Sequence, residues 1–430
     1  AGTINASTGT ATGFGDNLSW QTSDIKTSTF TAAAEKGYFV NTTGGAVTVN
    51  LPAGSAGAQI GLVDYAGTWD SNNVTLAANG SEKIQGSATD ATLSRDREAV
   101  QIVYVDSTQG WLITSVSDQA AAQVAYTSAT GGTITTSGDY KIHRFTGDGN
   151  FIVSEVGNAA GGGAGASYLV VAGGGSGSGT FRGGGGGAGG YREGKNSGDP
   201  YTASPLNAPA GLTLTATTYP IVVGGGGAGA SLDSGTGGTN GSVSTFSTIT
   251  STGGGRGGIY DGGNYPSQSN SCSPQGFPGG SGGGGAGCTP APNTNGGSGN
   301  TPPVSPPQGN NGGAGSGTSV QSGGGGGGAG GVGAGGATPG NPGGAGTTSS
   351  ITASPTAYAG GGGGGGYCSG GPGCGGSSIG GSGGCGSSGA PGNDAADYTG
   401  SGGGGAGGSP GNAGGSGGSG VVVIRYKYQN

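Results

Sequence analysis

Uninterrupted glycine runs constrain this chain more than any other feature. They fill 183–187, 253–255, 282–285, 323–328, 360–366 and 402–405. With 118 glycines and 20 prolines in 430 residues, the chain falls in the range usually read as low-complexity. Yet only 8% of residues are charged and only 30% are hydrophobic. Disordered chains stay expanded through charge, which is missing here, and the apolar side chains of an ordinary core are missing too. Ordering a glycine backbone costs roughly 1–2 kcal/mol per residue, and no side chain is available to offset it. Backbone hydrogen bonding is the remaining source of stability. A polyproline-II helix has three residues per turn and no internal hydrogen bonds, so its N–H and C=O groups point outward. Glycine helices of this kind, called polyglycine-II, can pack side by side and bond to one another at about 0.5–1.5 kcal/mol per bond. The runs therefore predict a backbone-bonded bundle.

Strands attach directly to these runs. Tyr168-Leu169-Val170-Val171 leads into glycine, as does Tyr219-Pro220-Ile221-Val222-Val223, and the apolar segment 420–428 closes the chain. A strand of that strength needs partners, and the nearest are 168–171 and 221–223. Residues 119–430 thus read as one glycine-rich domain with a β base, packed polyglycine-II layers and a closing strand at 420–428. Residues 36–118 read differently. Val47, Val49 and Leu51 alternate onto one face, and Ser107-Thr108-Gln109-Gly110 forms a hairpin turn, the pattern of a small antiparallel β domain. Residues 1–35 read as a fibre-like connecting segment. The expected fold class is all-β with essentially no α-helix.

The formal charge of −7 argues against nucleic acid, which requires a clustered basic surface. No run of eighteen apolar residues is present, so no transmembrane helix or membrane insertion is expected. The sequence contains no Met, which suggests that Ala1 lies inside a longer polypeptide. Its five cysteines lie in the glycine-rich part, without a Cys-x-x-Cys spacing and far from the one histidine, His143. No metal site or cofactor is expected. A surface-loop disulfide between Cys368 and Cys374 is one reading, and small buried thiols are the other. The segment 189–196 fits P-loop spacing until Asn196 replaces the required Ser/Thr, and Pro200 follows where a helix would be needed. His143 has no nucleophile elbow near it, and the sparse acids show no pairing that would suggest glycoside hydrolysis. The chain is expected to be non-enzymatic.

Several ordered segments carry a family resemblance. Lys141-Ile142-His143-Arg144-Phe145, then Tyr168 through Gly175, Gly186 through Tyr191, Tyr219 through Gly227, Ser350 through Gly360 and Gly418 through Tyr426 together resemble the glycine-rich domain of phage tail-fibre proteins. Residues 36–115 are similar to a small β domain common in tail fibres. The resemblance implies host recognition: a receptor-binding adhesin at the tail-fibre tip of a virion, attached to an upstream shaft. It also implies a homotrimer whose partner is a bacterial-surface glycan or outer-membrane protein. No individual binding residue carries over, because the tip of such adhesins is hypervariable. By position, the loops joining glycine runs are the receptor-contact candidates. Their aromatics are Tyr260, Tyr265, Phe277, Tyr367 and Tyr398, residues that either contact receptor or cap the lattice ends. The rival readings are an extracellular filament or cell-surface scaffold, an ice-binding protein and a polysaccharide depolymerase.

Overall fold

A computed structural model describes residues 3–5, 10–12, 18–118, 125–158, 161–179, 182–230, 237–260, 274–287, 294–317, 321–336, 340–366, 372–385, 389–408 and 412–429. The chain is all-β and divides into two compact units, Ala1–Val124 and Ala125–Asn430.

The first unit holds a short antiparallel pair, Thr3–Asn5 with Thr10–Thr12, and two facing sheets. One runs Gly110–Asp118, Glu98–Asp106, Gln59–Asp64, Lys36–Val40, Ser19–Trp20; the other runs Phe30–Thr31, Val47–Asn50, Val74–Ala77, Ala91–Leu93. Their inward residues close a core that includes Val40, Val49, Ile60, Leu62, Leu76, Ile102 and two fully buried tryptophans, Trp69 and Trp111. The expected antiparallel sheet is corrected here. Lys36–Val40 pairs parallel with Gln59–Asp64, and Val47–Asn50 pairs parallel with Val74–Ala77. From Ser19–Trp20 to Val74–Ala77 successive strands alternate between the two sheets, so each returns to its own sheet in the same direction. Side-chain alternation has period two in both pairing modes, which is why the pattern did not separate them. Within these two sheets, antiparallel pairing is confined to the Glu98–Asp106/Gly110–Asp118 hairpin, the pair of Glu98–Asp106 with Gln59–Asp64, and the edge strand Ala91–Leu93. Residues 19–20 and 30–31 pair into these sheets, and Phe30 packs on the core, so the folded unit begins before residue 36. The buried Asp64 carboxylate accepts from the backbone N–H of Gly67, Thr68 and Arg97 at 2.9–3.0 Å and fixes the turn that follows its strand.

The second unit stands on two sheets. Five strands run Ser128–Thr130, Gly149–Glu155, Thr218–Val222, Ser244–Phe246, Ile249–Ser251. Six more run Thr133–Ser137, Tyr140–Phe145, Val421–Lys427, Gly165–Val171, Tyr191–Gly194, Asn207–Ala208, with Leu212–Thr213 also joined to Gly165–Val171. The closing strand Val421–Lys427 lies between Tyr140–Phe145 and Gly165–Val171. Its pairing with 168–171 is as expected, but 221–223 is not its partner. Thr218–Val222 pairs with Gly149–Glu155 in the other sheet. The closing strand reads as a continuous apolar run because both of its faces are buried. Val422, Ile424 and Tyr426 pack with Phe151, Ile221 and Phe246 toward the other sheet. Val421 and Val423 pack with Leu169, Tyr191, Ile351 and Tyr358, and with Ala188, Ala329 and Ala359 of the glycine segments.

Those glycine segments form a lattice. Along 183–190, consecutive N–H groups donate to three different neighbours in turn. Gly184, Gly187 and Gly190 donate to Gly258, Gly255 and Thr252; Gly185 and Ala188 to Gly324 and Gly327; Gly183, Gly186 and Gly189 to Ala406, Gly403 and Gly400. These bonds span 2.7–3.3 Å. Acceptor numbers fall along the first and third neighbours, which run antiparallel, and rise along the second, which runs parallel. Carbonyls of the same segment accept from Ala172, Gly175 and Ser178, from Ser281 and Gly284, and from Gly362 and Gly365. Donors and acceptors thus engage different neighbours, and a screw of three residues per turn satisfies both sets. The approach is too close for side chains: a Cβ on Gly186 would lie 2.0 Å from the Gly175 carbonyl oxygen. Polar caps complete the lattice. Asn341 Nδ2 donates to the Gly323 carbonyl at 2.9 Å, and Asn310 Nδ2 to those of Gly328 and Ala329 at 2.9 and 2.8 Å.

Candidate functional site: the loop-bearing end of the lattice

One end of the lattice meets the β base through Ala188, Ala329 and Ala359. At the other end, the chain leaves and re-enters repeatedly between neighbouring helices. Ser316 pairs with Ser322, Ser322 with Gly366, Gly366 with Cys385, and Ala390 with Gly407. The Gly287 N–H reaches the Arg182 carbonyl at 3.1 Å, and the Ala286 N–H reaches that of Pro274 at 2.7 Å. The Gly414 N–H reaches Ala230 at 3.2 Å. Residues 182, 274, 286, 287, 316, 322, 366, 385, 390 and 407 therefore share this end. A run of glycine can stay in the lattice interior, where a side chain would not fit.

The candidate aromatics do not gather. Tyr260 stands at the loop-bearing end, with the Arg182 guanidinium 5.9 Å from its ring centre. Phe277 lies along the lattice side, where its N–H bonds to the Arg256 carbonyl at 3.1 Å. The Arg256 guanidinium sits 3.8 Å over the Phe277 ring, and burial lowers its pKa from the ordinary arginine value. Tyr398 sits beside the base, with Arg144 of strand Tyr140–Phe145 at 5.3 Å. Tyr265, Tyr367 and Cys368 lie outside the described residues. Cys374 is an exposed free thiol, and Cys385 a partly buried one. Segments 290–311 and 391–398, expected to be loops joining glycine runs, also contain described residues bonded into the lattice. Asn393 donates to Ser382 and accepts from Gly404, and Asn295 accepts from Gly276. Spacing alone concealed this, because a lattice helix at the edge of the bundle tolerates side chains on its outer face.

Some polar groups were missed by sequence reasoning. Arg425 Nε donates to Asp199 Oδ1 at 2.8 Å with both side chains almost wholly buried, at 2% and 1% exposure. Ser167 Oγ adds a donor to the other Asp199 oxygen at 2.8 Å. The buried Glu193 carboxylate accepts from the Tyr191 hydroxyl, the Ser349 hydroxyl and the Ser204 N–H at 2.6–2.9 Å. Burial, then the Glu193 charge, raises the Tyr191 pKa well above its ordinary value. These acids fasten the hairpin Thr347–Ser349/Thr356–Tyr358 and residues 199–204 onto the base sheet. Among the described residues, no cluster of His, Cys, Asp and Glu is arranged to hold a metal, and no helix is long and apolar enough to cross a membrane.

Residues 164–427 match the glycine-rich domain family. That is more than half the chain, and the protein belongs to this family. A further similarity is to baseplate wedge protein gp10 of Enterobacteria phage T4, 34% identical over 89 residues. It covers 20% of this chain and only 15% of the phage protein's length. Together the two similarities point to a phage-related protein.

Proposed function

We propose that this chain is the distal part of a phage tail fibre that attaches the virion to a host-cell receptor, without catalysing a reaction. The observation that carries this reading is the one-ended lattice. Its interior is fixed by backbone bonds, and at the end away from the β base neighbouring helices are joined edge to edge where the chain passes from one to the next. Such a frame holds variable loops steady without depending on their sequence, which suits an attachment surface. Tyr260 is the described aromatic best placed to contact a glycan or outer-membrane protein. In this reading the first unit links to a fibre shaft and associates as a trimer.

Binding of the purified chain to cells of candidate hosts tests the proposal. Replacing residues 259–277 by a Gly-Ser segment is expected to abolish or sharply weaken cell binding; equal binding by both proteins removes the loop-bearing end from the attachment surface. The partial similarity to a baseplate wedge protein favours a second reading, a structural virion component. Under that reading the same replacement leaves virion incorporation and cell attachment unchanged.

A further inference from the structure

A cavity of about 290 Å³ opens at the β base, away from the loop-bearing end. Strand Tyr140–Phe145 contributes Arg144, the hairpin contributes Thr352 and Thr356, and residues 397–399 complete the wall. The Tyr358 ring also lines it. Three observations set this cavity apart. Tyr398 is 42% exposed and is held at φ +59°, a left-handed conformation uncommon for a bulky residue and associated with functional positions. Arg144 and Asp397 line the same small space, yet no ion pair joins them: the salt bridges among the described residues are Lys26–Asp24 and Arg425–Asp199. Finally, one oxygen of Asp397 is committed to the Ser419 N–H and hydroxyl, both at 3.3 Å, which positions the carboxylate without those bonds engaging its second oxygen.

We infer that this cavity binds one neutral pyranose ring of an oligosaccharide. A vicinal diol both donates and accepts, so it can bridge a carboxylate and a guanidinium that do not reach each other. The threonine hydroxyls, with Thr352 and Thr356 Oγ1 3.4 Å apart, offer further partners of either sense. The exposed Tyr398 ring supplies an apolar face for the sugar's C–H groups, beside the Arg144 guanidinium 5.3 Å from its centre. The volume sits at the small end of ligand clefts, which span about 300–1,000 Å³, and so suits a single ring rather than a long chain. The inference does not depend on the loop-bearing end.

Saturation-transfer NMR on the full chain tests it, with the methyl α- and β-pyranosides of glucose, galactose and mannose as probes. Transfer to at least one glycoside is expected. Tyr398→Ala and Asp397→Asn should each weaken that binding about tenfold or more, the loss of a packed ring face or a charged hydrogen bond. Both side chains are exposed, so unchanged melting temperatures are expected and verify folding. Replacing residues 259–277 by Gly-Ser should leave transfer intact, which separates this site from the attachment surface. Absence of transfer to all six glycosides overturns the inference, and so does transfer that survives both substitutions. A cavity that instead receives a protein segment gives the first of these outcomes.

Discussion

His143 shows how much one buried side chain can set. It lies fully buried in strand Tyr140–Phe145, packed against Phe151 and stacked on Tyr426. Its Nδ1 donates to the Gly131 carbonyl at 2.7 Å, so in the neutral ring Nε2 accepts from the Tyr426 hydroxyl at 3.1 Å. Protonation would turn Nε2 into a second donor and place a charge in an apolar core. Burial lowers the His143 pKa below its ordinary 6.5; the Gly131 bond opposes the shift and Lys141 adds to it. The folded state then binds fewer protons than the unfolded state as pH falls below about 6.5, so folding stability drops in that direction. Melting temperature of the second unit should therefore decline from neutral pH toward about pH 5, and His143→Gln should flatten that decline. An unchanged slope in the variant would assign the acid sensitivity to other groups. The same burial pushes the Tyr426 hydroxyl up to about 12, so this pair stays uncharged through the neutral range.

At the scale of elements, the closing strand joins parts of the chain far apart in sequence. Arg425 on Val421–Lys427 reaches Asp199, and its guanidinium also stands 4.8 Å from the Tyr140 ring. Breaking a buried pair from one side leaves an uncompensated charge and costs about 3–5 kcal/mol. Asp199→Asn or Arg425→Met alone should destabilise by that order in denaturant unfolding. The double variant should recover much of the loss, and strictly additive losses would show that the pair is not coupled. The strand itself was legible in the sequence, as were its partner 168–171 and the glycine lattice, because each follows from composition and apolar patterning. Its second partner was not. Tyr140–Phe145 and Thr218–Val222 are both short β-rich runs next to turns, and only the three-dimensional path decides which one lies alongside. Of the aromatics expected in loops, Tyr260 lies at the loop-bearing end, whereas Phe277 and Tyr398 lie elsewhere. Phe277 and Tyr398 were grouped with it because sequence order does not reveal which end of an antiparallel lattice a turn occupies. Arg425 of Asp199 and Ser349 of Glu193 lie 226 and 156 residues away, beyond what sequence proximity reveals.

The whole molecule divides its spectroscopic reporters as cleanly as its folds. All three tryptophans, Trp20, Trp69 and Trp111, fall in the first unit. Tryptophan fluorescence therefore follows that unit alone, and calorimetry follows both. Gly186→Ala places a Cβ 2.0 Å from the Gly175 carbonyl oxygen in the lattice interior, where the neighbour is backbone. A cost of about 1–3 kcal/mol is expected, read as a lowered calorimetric transition of the second unit with the tryptophan transition unmoved. Gly225→Ala, with nothing within 4 Å of its added Cβ, serves as the neutral comparison. A tryptophan transition that shifts with Gly186→Ala would show that the units unfold together. The three-neighbour rotation along 183–190 also gives the lattice a reading frame. Adding or removing one residue inside a run turns everything beyond it by a third of a circle and hands each N–H to the wrong neighbour. Three residues restore the phase. Length changes within the runs are thus tolerated in threes, while the turns between them are free to change by any number, and lineages of such proteins can diversify their outer segments without renegotiating the frame beneath.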